Sequence, residues 1–417
     1  MTSKKYRILM FAPAFAPFAN AEAIVNSKLA LAMLDAGWDV DIVSRNLVGV
    51  SSYDYGSTWV EPWVRLREHT FELVDRNVSL LLRKLSSAIS AIRLGHAVEG
   101  CQWAARAYDL ALKLHSQKPY DVILSRAFPD YAHLPALVMT RKTKVPWIAN
   151  WNDPWSFIYE TGKGHELSFI HRRLIRAIAK KSSWITFPSD LLRNAMIKIL
   201  GRDATHKSST IPHVAINHKF AVTNNKTDNK AVFEICYAGR LWASQHPGPF
   251  LEAFKKLSAN SEEAEMRFVF MGLDDVGLQR EAARLGIAER VVNLGRLSYA
   301  ETIARTAKCD LLLVIDPPCT NGMLLTSKFV DYLQANRPIM VISKKLGTLD
   351  RIIQHYGGGK VTDSSSVEDV YSTLLNFYND WENDALNDKY NTDQLYKHFE
   401  PDRVIYEYEK IFDALCR

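Results

Sequence analysis

The segment from Thr326 to Ile342 carries the residue types best suited to binding an anionic ligand. Ser327 and Lys328 open a stretch whose apolar spacing predicts a short helix followed by a buried strand. The first N–H groups of a helix have no intrahelical acceptor, and the helix dipole adds partial positive charge there. One turn later, Asp331 can accept hydrogen bonds from ribose hydroxyls. The segment therefore predicts a cradle for a diphosphate joined to a ribose, and a plain helix in an α/β core is the alternative.

A second cation stands near the start of the second half of the chain. Gly239 and Arg240 directly follow the strand-like run 233–237. A guanidinium donates to two phosphate oxygens at once, so Arg240 is suited to the same diphosphate. A surface arginine beside a turn is the alternative. Residues 244–247 contain no Lys or Arg, so Lys328 would neutralise more of the phosphate charge.

Two loops of the first half contain further polar candidates. Arg126 and His133 follow the strand-like run 122–124, and Asp153 follows the run 147–149. Sheets of α/β proteins bind ligands at the carboxyl ends of their strands. Imidazole can hydrogen-bond a sugar or polarise a hydroxyl, Arg126 suits an anionic ligand, and Asp153 can accept a hydrogen bond from a ligand hydroxyl. A core histidine and an aspartate that caps a turn are the alternatives.

Strand-like and helical patterns alternate along the chain, which predicts parallel, doubly wound sheets. A chain of 417 residues exceeds the size at which one core stops growing, so two domains are expected. Residues 223–230 contain no apolar residue, which indicates a linker. The predicted organisation is a first domain at 1–215, a linker at 216–231, a second domain at 232–395 and a terminal helical segment at 396–417.

These motifs resemble those of a known enzyme family. The run from Ser327 to Ile339 is similar to the "SKxxEY…RPV" donor signature of retaining glycosyltransferases of family four, with Asp331 in place of Glu. Residues 152–155 resemble the "RDPW" motif of a subgroup, and Gly239–Arg240 resembles its "GR". The resemblance implies an α/β protein of the GT-B fold, with two Rossmann-like, doubly wound domains facing a central cleft, and a terminal helix that crosses back to the first domain.

The sequence also departs from this family. Met323 stands eight residues before Asp331, where the family's paired-acid signature has its first acid. Asn152 replaces the Arg of "RDPW". The glycine-rich loop after the first strand is replaced by Asn20 and Ala21, so Asn20 is the residue expected on the acceptor side together with Arg126. We interpret the loss at Met323 as altered sugar recognition.

The resemblance implies transfer of a sugar, with retention, from a nucleotide-diphosphate sugar to a glycan or a lipid-linked acceptor in surface polysaccharide synthesis. The donor would be bound by Gly239, Arg240, Ser327, Lys328 and Asp331, together with Thr326. Asp153 and His133 would orient the substrates, since the leaving phosphate takes the acceptor's proton in the mechanism attributed to the family. No cofactor is expected, because the nucleotide sugar is a substrate.

Two other functions fit the same fold. A nucleotide-sugar 2-epimerase would need several acids and a histidine around the sugar ring, and Met323 argues against it. A catalytically inactive scaffold that binds a glycan or a partner is the non-enzymatic alternative, which Met323 and Asn152 favour. Nucleotide binding separates the scaffold from both enzymes, and slow hydrolysis of the donor favours the transferase.

The composition of the chain limits the compartment and the kinds of ligand that are expected. The five cysteines form no CxxC pair, which favours a reducing compartment and argues against a structural metal site. No Asp-x-Asp ends a strand, so no metal is expected. The apolar run near the amino terminus is interrupted by Pro13 and Pro17, so we expect a first strand there rather than a signal peptide. No helix-turn-helix or zinc-finger spacing occurs, so nucleic acid is not an expected partner.

Charge is distributed unevenly between the two halves. Residues 1–215 contain 28 Lys and Arg against 18 Asp and Glu, whereas the remainder contains 24 against 28. Residues 171–181 place Arg172, Arg173, Arg176 and Lys180 on one helix side and apolar residues on the other. This pattern predicts either a helix on an anionic membrane surface or a surface helix docked on the core. A cytoplasmic enzyme, peripheral on the inner membrane face, is the resulting expectation.

Overall fold

The structure, a computed structural model, describes most of the chain. The expected linker lies outside the described residues from residue 217 onward, and Trp155 of the "RDPW"-like motif lies outside them too. Of residues 260 and 319 only the backbone is described. The described ranges are 5–18, 20–46, 59–74, 79–154, 168–216, 232–242, 245–260, 265–274, 276–363 and 366–416.

The described residues form two compact units. The first comprises those within Met1–Ser156, His165–Val214 and Pro401–Arg417. The second comprises those within Ala215–Glu400. Each unit contains one parallel sheet with helices between successive strands, which confirms the predicted class of two Rossmann-like, doubly wound domains.

In the described part of the first unit, seven parallel strands pair in the order β3-β2-β1-β4-β5-β6-β7. Strand β1 pairs with β2 from Arg7 opposite Asp39 and with β4 from Ile8 opposite Val122. The strands are β1 (Arg7–Phe11), β2 (Asp39–Asn46), β3 (Thr70–Val74), β4 (Val122–Ala127), β5 (Trp147–Trp151), β6 (Trp184–Phe187) and β7 (Ser208–Thr210).

In the described part of the second unit, six parallel strands pair in the order β10-β9-β8-β11-β12-β13. Apolar side chains cover both faces of this sheet, as expected for a parallel sheet between two helix layers. The strands are β8 (Val232–Ala238), β9 (Glu265–Met271), β10 (Val291–Asn293), β11 (Leu311–Ile315), β12 (Ile339–Ile342) and β13 (Gly359–Thr362).

Helices connect these strands and pack on the sheet faces. Those of the first unit are α1 (Ala21–Asp35), α2 (Leu80–Leu94), α3 (Cys101–Gln117), α4 (His133–Thr143), α5 (Phe169–Lys181), α6 (Asp190–Leu200), α7 (Arg202–Thr205) and α16 (Pro401–Leu415). Those of the second unit are α8 (Gly248–Asn260), α9 (Leu278–Leu285), α10 (Tyr299–Thr306), α11 (Ser327–Tyr332), α12 (Thr348–Tyr356), α13 (Val367–Glu382), α14 (Leu386–Lys389) and α15 (Asp393–Phe399).

The last helix, α16, returns to the first unit and packs on α1. Its apolar side buries Tyr408 and Phe412. The Phe412 ring lies 5.1 Å from the ring of Tyr6 and 5.1 Å from that of Trp38. The Tyr6 hydroxyl donates a hydrogen bond to Asp413 of the same helix. The core of the first unit therefore combines residues from near the start of the sequence with residues of α16.

Helix α5 buries the apolar side that its sequence pattern predicts. Leu174, Ile175 and Ile178 are buried in the first unit, so this side of the helix docks on the core. Its cations Arg172 and Arg173 are exposed on the other side. No helix among the described residues is both long and apolar enough to cross a membrane.

Both sheets have a topological switch point, where the strand order reverses. It lies between β1 and β4 in the first unit and between β8 and β11 in the second. Helices leave opposite faces of the sheet at such a point, and a crevice opens at the carboxyl ends of the strands. The polar candidates of each unit are found at this edge.

Candidate functional site

The second unit builds its site from the ends of β8, β9 and β11. Gly239 follows β8 with a φ of +117°, and Gly272 follows β9 with a φ of +152°. A Cβ atom on Gly272 would lie 1.9 Å from the carbonyl oxygen of Gly239, so only glycine allows this approach. The two strand ends are therefore held side by side, and Arg240 begins the loop that leaves them.

Lys328 lies above this glycine turn. A Cβ atom on Gly239 would lie 3.5 Å from the Lys328 Nζ atom. The ammonium donates a hydrogen bond to the Tyr237 hydroxyl and lies 3.9 Å from the centre of that ring. The Tyr237 hydroxyl in turn donates to the carbonyl oxygen of Arg240 at 3.1 Å. This chain of contacts holds the lysine over the loop in which Arg240 stands.

Burial also changes the protonation of Lys328. Desolvation lowers the pKa of its ammonium to about 7, and the nearby Asp316 carboxylate opposes this shift. An approaching phosphate would favour the charged form in the same way, by supplying an opposite charge. The fraction of Lys328 that is protonated therefore depends on whether an anion lies beside it.

Asp316, which follows β11, is the carboxylate that faces Lys328. It is buried, and its Oδ2 atom accepts a hydrogen bond from Ser343 at 2.9 Å. Its Oδ1 atom has no hydrogen-bond partner among the described residues. Desolvation raises the pKa of this carboxyl to about 7, against the effects of Ser343 and Lys328. Asp316 and Lys328 therefore each favour the charged form of the other, and sequence reasoning missed the acidic member of this pair.

The Arg240 guanidinium is half-buried and stacked, with its Cζ atom 3.8 Å from the centre of the Trp242 ring. Stacking on an aromatic ring restricts a guanidinium without using all of its N–H groups. The position is compatible with the predicted contact to a diphosphate.

The start of α11 lies where the sequence predicts a helix N-terminus. Thr326 is the N-cap residue, but its side chain makes no capping hydrogen bond, and its buried Oγ1 atom has no partner among the described residues. Ser327 is the first helical residue. The first backbone N–H groups of α11 are thus left without a side-chain cap, as an anion site requires.

Asp331 has a partner that the sequence did not suggest. The residue is buried, and its Oδ1 atom accepts a hydrogen bond from the Tyr299 hydroxyl of α10 at 2.9 Å. Gln334 donates to the same hydroxyl at 2.8 Å. The carboxylate is therefore oriented from within the protein.

In the first unit, Arg126 is the centre of a buried hydrogen-bond network at the β1/β4 edge. Its Nε atom donates to Asn26 at 2.7 Å, one terminal nitrogen donates to Tyr408 at 3.3 Å, and the other donates to Asn152 at 3.3 Å. Arg126 is 3 % exposed. The expectation that it receives an anionic acceptor does not fit this position, because the guanidinium is enclosed by neutral partners from α1, α16 and the β5 loop.

Glu22, in the first turn of α1, extends this network. Its Oε1 atom accepts hydrogen bonds from Asn152 at 2.8 Å and from Asn26 at 3.1 Å. Desolvation raises the pKa of Glu22 to about 7, and Asp153 raises it further, whereas Arg126 and the two amides lower it. A carboxyl that titrates near neutrality, fixed by two amides, can accept a hydrogen bond from a hydroxyl or donate one.

Asp153 lies close to two carboxyls. It is half-buried, and its charge raises the pKa of both Glu22 and Asp130. Burial raises the pKa of Asp130 to about 7, and the Trp151 indole opposes this shift. The structure therefore places the sequence-predicted Asp153 beside Glu22 and Arg126, within one polar region at the carboxyl ends of β1, β4 and β5.

His133 lies apart from this polar region, in the core. It is fully buried, and its Nδ1 atom is 2.7 Å from the Ser125 hydroxyl, which also accepts a hydrogen bond from the Trp147 indole. Its ring lies 4.4 Å from that of Trp151. Burial lowers the pKa of His133 to about 3, so the imidazole is neutral. The expectation that His133 orients a substrate does not fit this packed position, since no ligand reaches it.

Asn20 is the N-cap residue of α1. Its Oδ1 atom accepts a hydrogen bond from the backbone N–H of Ala23 at 2.8 Å. This is the ordinary role of Asn at a helix start. Asn20 is half-exposed and stands two residues before Glu22.

Glu22, Tyr237 and Asp316 are functional candidates that sequence reasoning missed. Glu22 has the typical position of an acid in a first helical turn, and Tyr237 has that of a core residue in a strand. Asp316 directly follows a buried strand, at a strand end where ligand contacts occur, and this signal could have found it. Among the described residues, no group of three or more His, Cys, Asp or Glu side chains is arranged to hold a metal ion.

Comparisons with known proteins add to this geometry. No protein-family model matches the chain, and a search of curated proteins by sequence gives no match. Solved structures match over almost its whole length. A glycosyltransferase from Rickettsia africae superposes with a TM-score of 0.68 at 11 % identity, covering 99 % of this chain and 99 % of that one.

Two further matches were solved with ligands. HepE from Anabaena, in complex with UDP and glucose, gives a TM-score of 0.65 at 14 % identity and covers 98 % of this chain and 100 % of its own. TarM from S. aureus, in complex with fondaparinux, alpha-GlcNAc-glycerol and UDP, gives 0.63 at 9 % identity, again over 98 % and 100 %. At such identities the match concerns the fold. The chain therefore has the GT-B fold that these glycosyltransferases share.

Proposed function

We propose that this protein is a glycosyltransferase that takes a sugar from a nucleotide-diphosphate sugar. The observation that carries the proposal is Lys328, a desolvated ammonium held over Gly239 and the Arg240 loop at the switch point of the second sheet. The GT-B fold supports it, and so does the binding of UDP by HepE and TarM in their solved complexes.

In this proposal the second unit binds the donor. Lys328 and Arg240 contact the diphosphate, and the N–H groups near Thr326 and Ser327 add neutral donors. Asp331, oriented by Tyr299, accepts hydrogen bonds from the ribose. Charge stabilisation of a leaving group in a water-poor site is commonly the largest single contribution to catalysis.

Transfer breaks the bond between the anomeric carbon and the diphosphate oxygen, and the electron pair leaves with the diphosphate. The acceptor oxygen forms the new bond to the same carbon, and its proton passes to the leaving phosphate. With attack from the face that the phosphate leaves, the configuration is retained, and no protein nucleophile is needed. Lys328 and Arg240 stabilise the negative charge that develops on the phosphate.

The first unit supplies the acceptor side. Asp153 and Glu22 are the groups that we propose to orient an acceptor hydroxyl, and Asn20 borders them. Arg126 acts as a positioning residue, because it fixes the amides that hold Glu22. We assign His133 no contact with substrate. The proposed acceptor is a glycan or a lipid-linked sugar in the synthesis of a surface polysaccharide, and the proposed location is cytoplasmic.

The proposal is tested with a panel of sugar nucleotides and the purified protein. Binding is measured by calorimetry with UDP and GDP, and hydrolysis without acceptor is followed by release of the nucleoside diphosphate. We expect one nucleotide to bind and one sugar nucleotide to be hydrolysed slowly. Failure of every nucleotide to bind would leave the inactive scaffold, and conversion of the sugar nucleotide into its 2-epimer would assign an epimerase.

Asp153→Asn distinguishes the proposed acceptor residues of the first unit from the proposed donor residues of the second. It should lower transfer while leaving nucleotide affinity unchanged, because Asp153 is proposed to act on the acceptor. Exposed Asp203 of the same unit, changed to Asn, is the matched control. A loss of nucleotide affinity in Asp153→Asn equal to its loss of transfer would contradict the assignment.

A further inference from the structure

Helix α2 exposes a stripe of large apolar side chains. Leu82, Leu85, Ile89 and Ile92 follow one another at spacings of three and four residues and therefore share one helix face. Their exposed fractions are 54 %, 56 %, 57 % and 82 %. An isolated exposed leucine needs no explanation, but a continuous apolar stripe on a surface helix indicates a binding surface.

The other face of α2 accounts for its attachment to the first unit. Ser90 and Leu94 are buried, the Ser87 carbonyl accepts a hydrogen bond from the Cys101 thiol at 3.5 Å, and the Arg83 carbonyl accepts one from Gln102. These contacts fix α2 on α3. The apolar stripe lies opposite them and is not required to hold the helix in place.

The stripe continues onto the first turn of α5. Ile92, Phe169 and Ile170 line one groove of about 310 Å³, together with Gly95, His96 and Arg173. Phe169 is 78 % exposed. Two helices distant in sequence thus present one apolar surface, and a cation stands in the groove between them.

All charges on these two helices are positive. Helix α2 contains Arg83, Lys84 and Arg93, and neither helix contains an Asp or Glu. Arg93 is paired with Asp109 of α3. Arg173, together with Arg141, helps burial to lower the pKa of His96 in the groove, as expected in a positive field. Arg83 and Lys84 are exposed on α2, and α5 exposes a further set of cations: Arg172, Arg173, Arg176, Lys180 and Lys181.

We propose that this surface, formed by α2 and the start of α5, docks onto an anionic phospholipid bilayer. The apolar side chains enter the interface between headgroups and acyl chains, and the cations contact lipid phosphates. A second copy of the chain fits less well, because two surfaces with cations and no carboxylates on their helices repel each other. The inference goes beyond the proposed function and does not depend on transfer activity.

The test is sedimentation of the full chain with vesicles of phosphatidylcholine alone or with 30 % phosphatidylglycerol, at low and high salt. About one lipid in three is then anionic, which is enough to give the vesicle surface a negative potential. We expect binding to the anionic vesicles that salt weakens. Changing Leu85, Ile89 and Ile92 together to Gln should lower the partition coefficient by about tenfold or more.

Matched variants test whether losing the same kind of exposed residue elsewhere on the protein would also reduce vesicle binding. The apolar control changes Leu294, Leu346 and Tyr406 to Gln, since all three are exposed elsewhere. The charge test changes Arg172, Arg173, Arg176 and Lys180 to Gln, and its control changes Lys255, Arg280, Arg284 and Lys308, which are exposed in the second unit. Circular dichroism and thermal melting verify that each variant folds.

The outcomes are separable. Loss of vesicle binding in the α2 and α5 variants, with binding kept in both controls, supports the proposal. Absence of binding, equal binding to neutral vesicles, or full binding by the α2 variant overturns it. A dimer in sedimentation velocity that the α2 variant dissociates would assign the surface to a second copy instead.

Discussion

The two sheet edges hold their central cations in different ways. In the first unit, every nitrogen of the Arg126 guanidinium donates to a protein group, and the residue is almost inaccessible. In the second unit, Lys328 makes one hydrogen bond among the described residues, to a tyrosine hydroxyl, and burial lowers its pKa to about 7. A cation with satisfied donors stabilises the fold, whereas one with donors to spare and a lowered pKa is ready for an anion.

The largest effect that this comparison predicts is on stability. Arg126→Ala leaves the side chains of Asn26, Asn152 and Tyr408 without their donor, and we expect the free energy of unfolding to fall by about 2 to 4 kcal/mol. Urea denaturation measures it. Exposed Arg141→Ala, in the same unit, should change it by less than about 0.5 kcal/mol. If Arg126→Ala lowered the free energy of unfolding as little as the control does, Arg126 would not be a stabilising cation. The difference drawn between the two sheet edges would then be contradicted.

Next in size are the effects on transfer. Lys328→Ala and Arg240→Ala each remove a charged contact to the leaving diphosphate and should lower kcat/KM roughly 30- to 1,000-fold, without the loss of stability expected for Arg126→Ala. Lys308→Ala, an exposed lysine of the same unit, is the control. Activity of both variants within twofold of the unchanged protein would disprove the donor assignment.

Lys328 also predicts a dependence on pH. Its pKa is lowered from 10.5 to about 7, so the site without ligand loses its charge as the pH rises through 7. A bound diphosphate favours the ammonium, so binding above pH 7 should take up a proton, and affinity should fall by up to about tenfold per pH unit. Calorimetry in two buffers of different ionisation enthalpy measures the uptake. Lys328→Ala should abolish it, and uptake that persists in this variant would assign the proton to another group.

Asp331 predicts a smaller effect on nucleotide binding. Asp331→Asn should weaken binding of the free nucleotide about three- to thirtyfold, because a ribose hydroxyl loses a charged acceptor. Tyr299→Phe removes the internal partner of Asp331 but no proposed ligand contact, so its effect should be smaller. An unchanged nucleotide affinity in Asp331→Asn, or a larger effect in Tyr299→Phe, would give Asp331 a structural role only.

The smallest predicted effect concerns Glu22. Its pKa is raised from 4.5 to about 7 in the folded protein, so the folded state binds the proton more tightly than the unfolded state. Its contribution to stability is therefore present at low pH and is lost as the pH rises from 4.5 through 7. Glu22→Gln keeps a carbonyl oxygen for Asn26 and Asn152 and has no charge, so it should reduce the fall in stability between pH 5 and pH 8. Identical pH profiles would show that Glu22 does not titrate in this window.

Strand ends and helix starts were predictable from the sequence, because apolar runs and turn residues mark them. The strand-like runs 122–124, 147–149 and 233–237 correspond to β4, β5 and β8. Strand β3 is only partly buried and shows no clear alternation, so its sequence gives a weak signal. Gly95 takes a left-handed conformation that ends α2 and separates it from α3.

A residue of the site was predictable from the sequence only where its own segment marks it as part of a strand end or a helix start. Lys328 and Gly239 stand at a helix start and a strand end, and both signals are local. Tyr237 and Asp316 act through neighbours that the sheet brings together, so their roles depend on tertiary structure. The same limit applies to Arg126 and His133, whose polar character in the sequence gave no sign that the fold encloses them.

Helix α16 has a consequence for how the chain matures. Tyr408 holds Arg126, and Phe412 packs on Tyr6 and Trp38, yet more than 180 residues separate the end of β7 from this helix. During synthesis on the ribosome, the first unit cannot complete its core until α16 has emerged, after the whole of the second unit. Truncation before α16 would therefore leave Arg126, Tyr6 and Trp38 of the first unit without Tyr408 and Phe412.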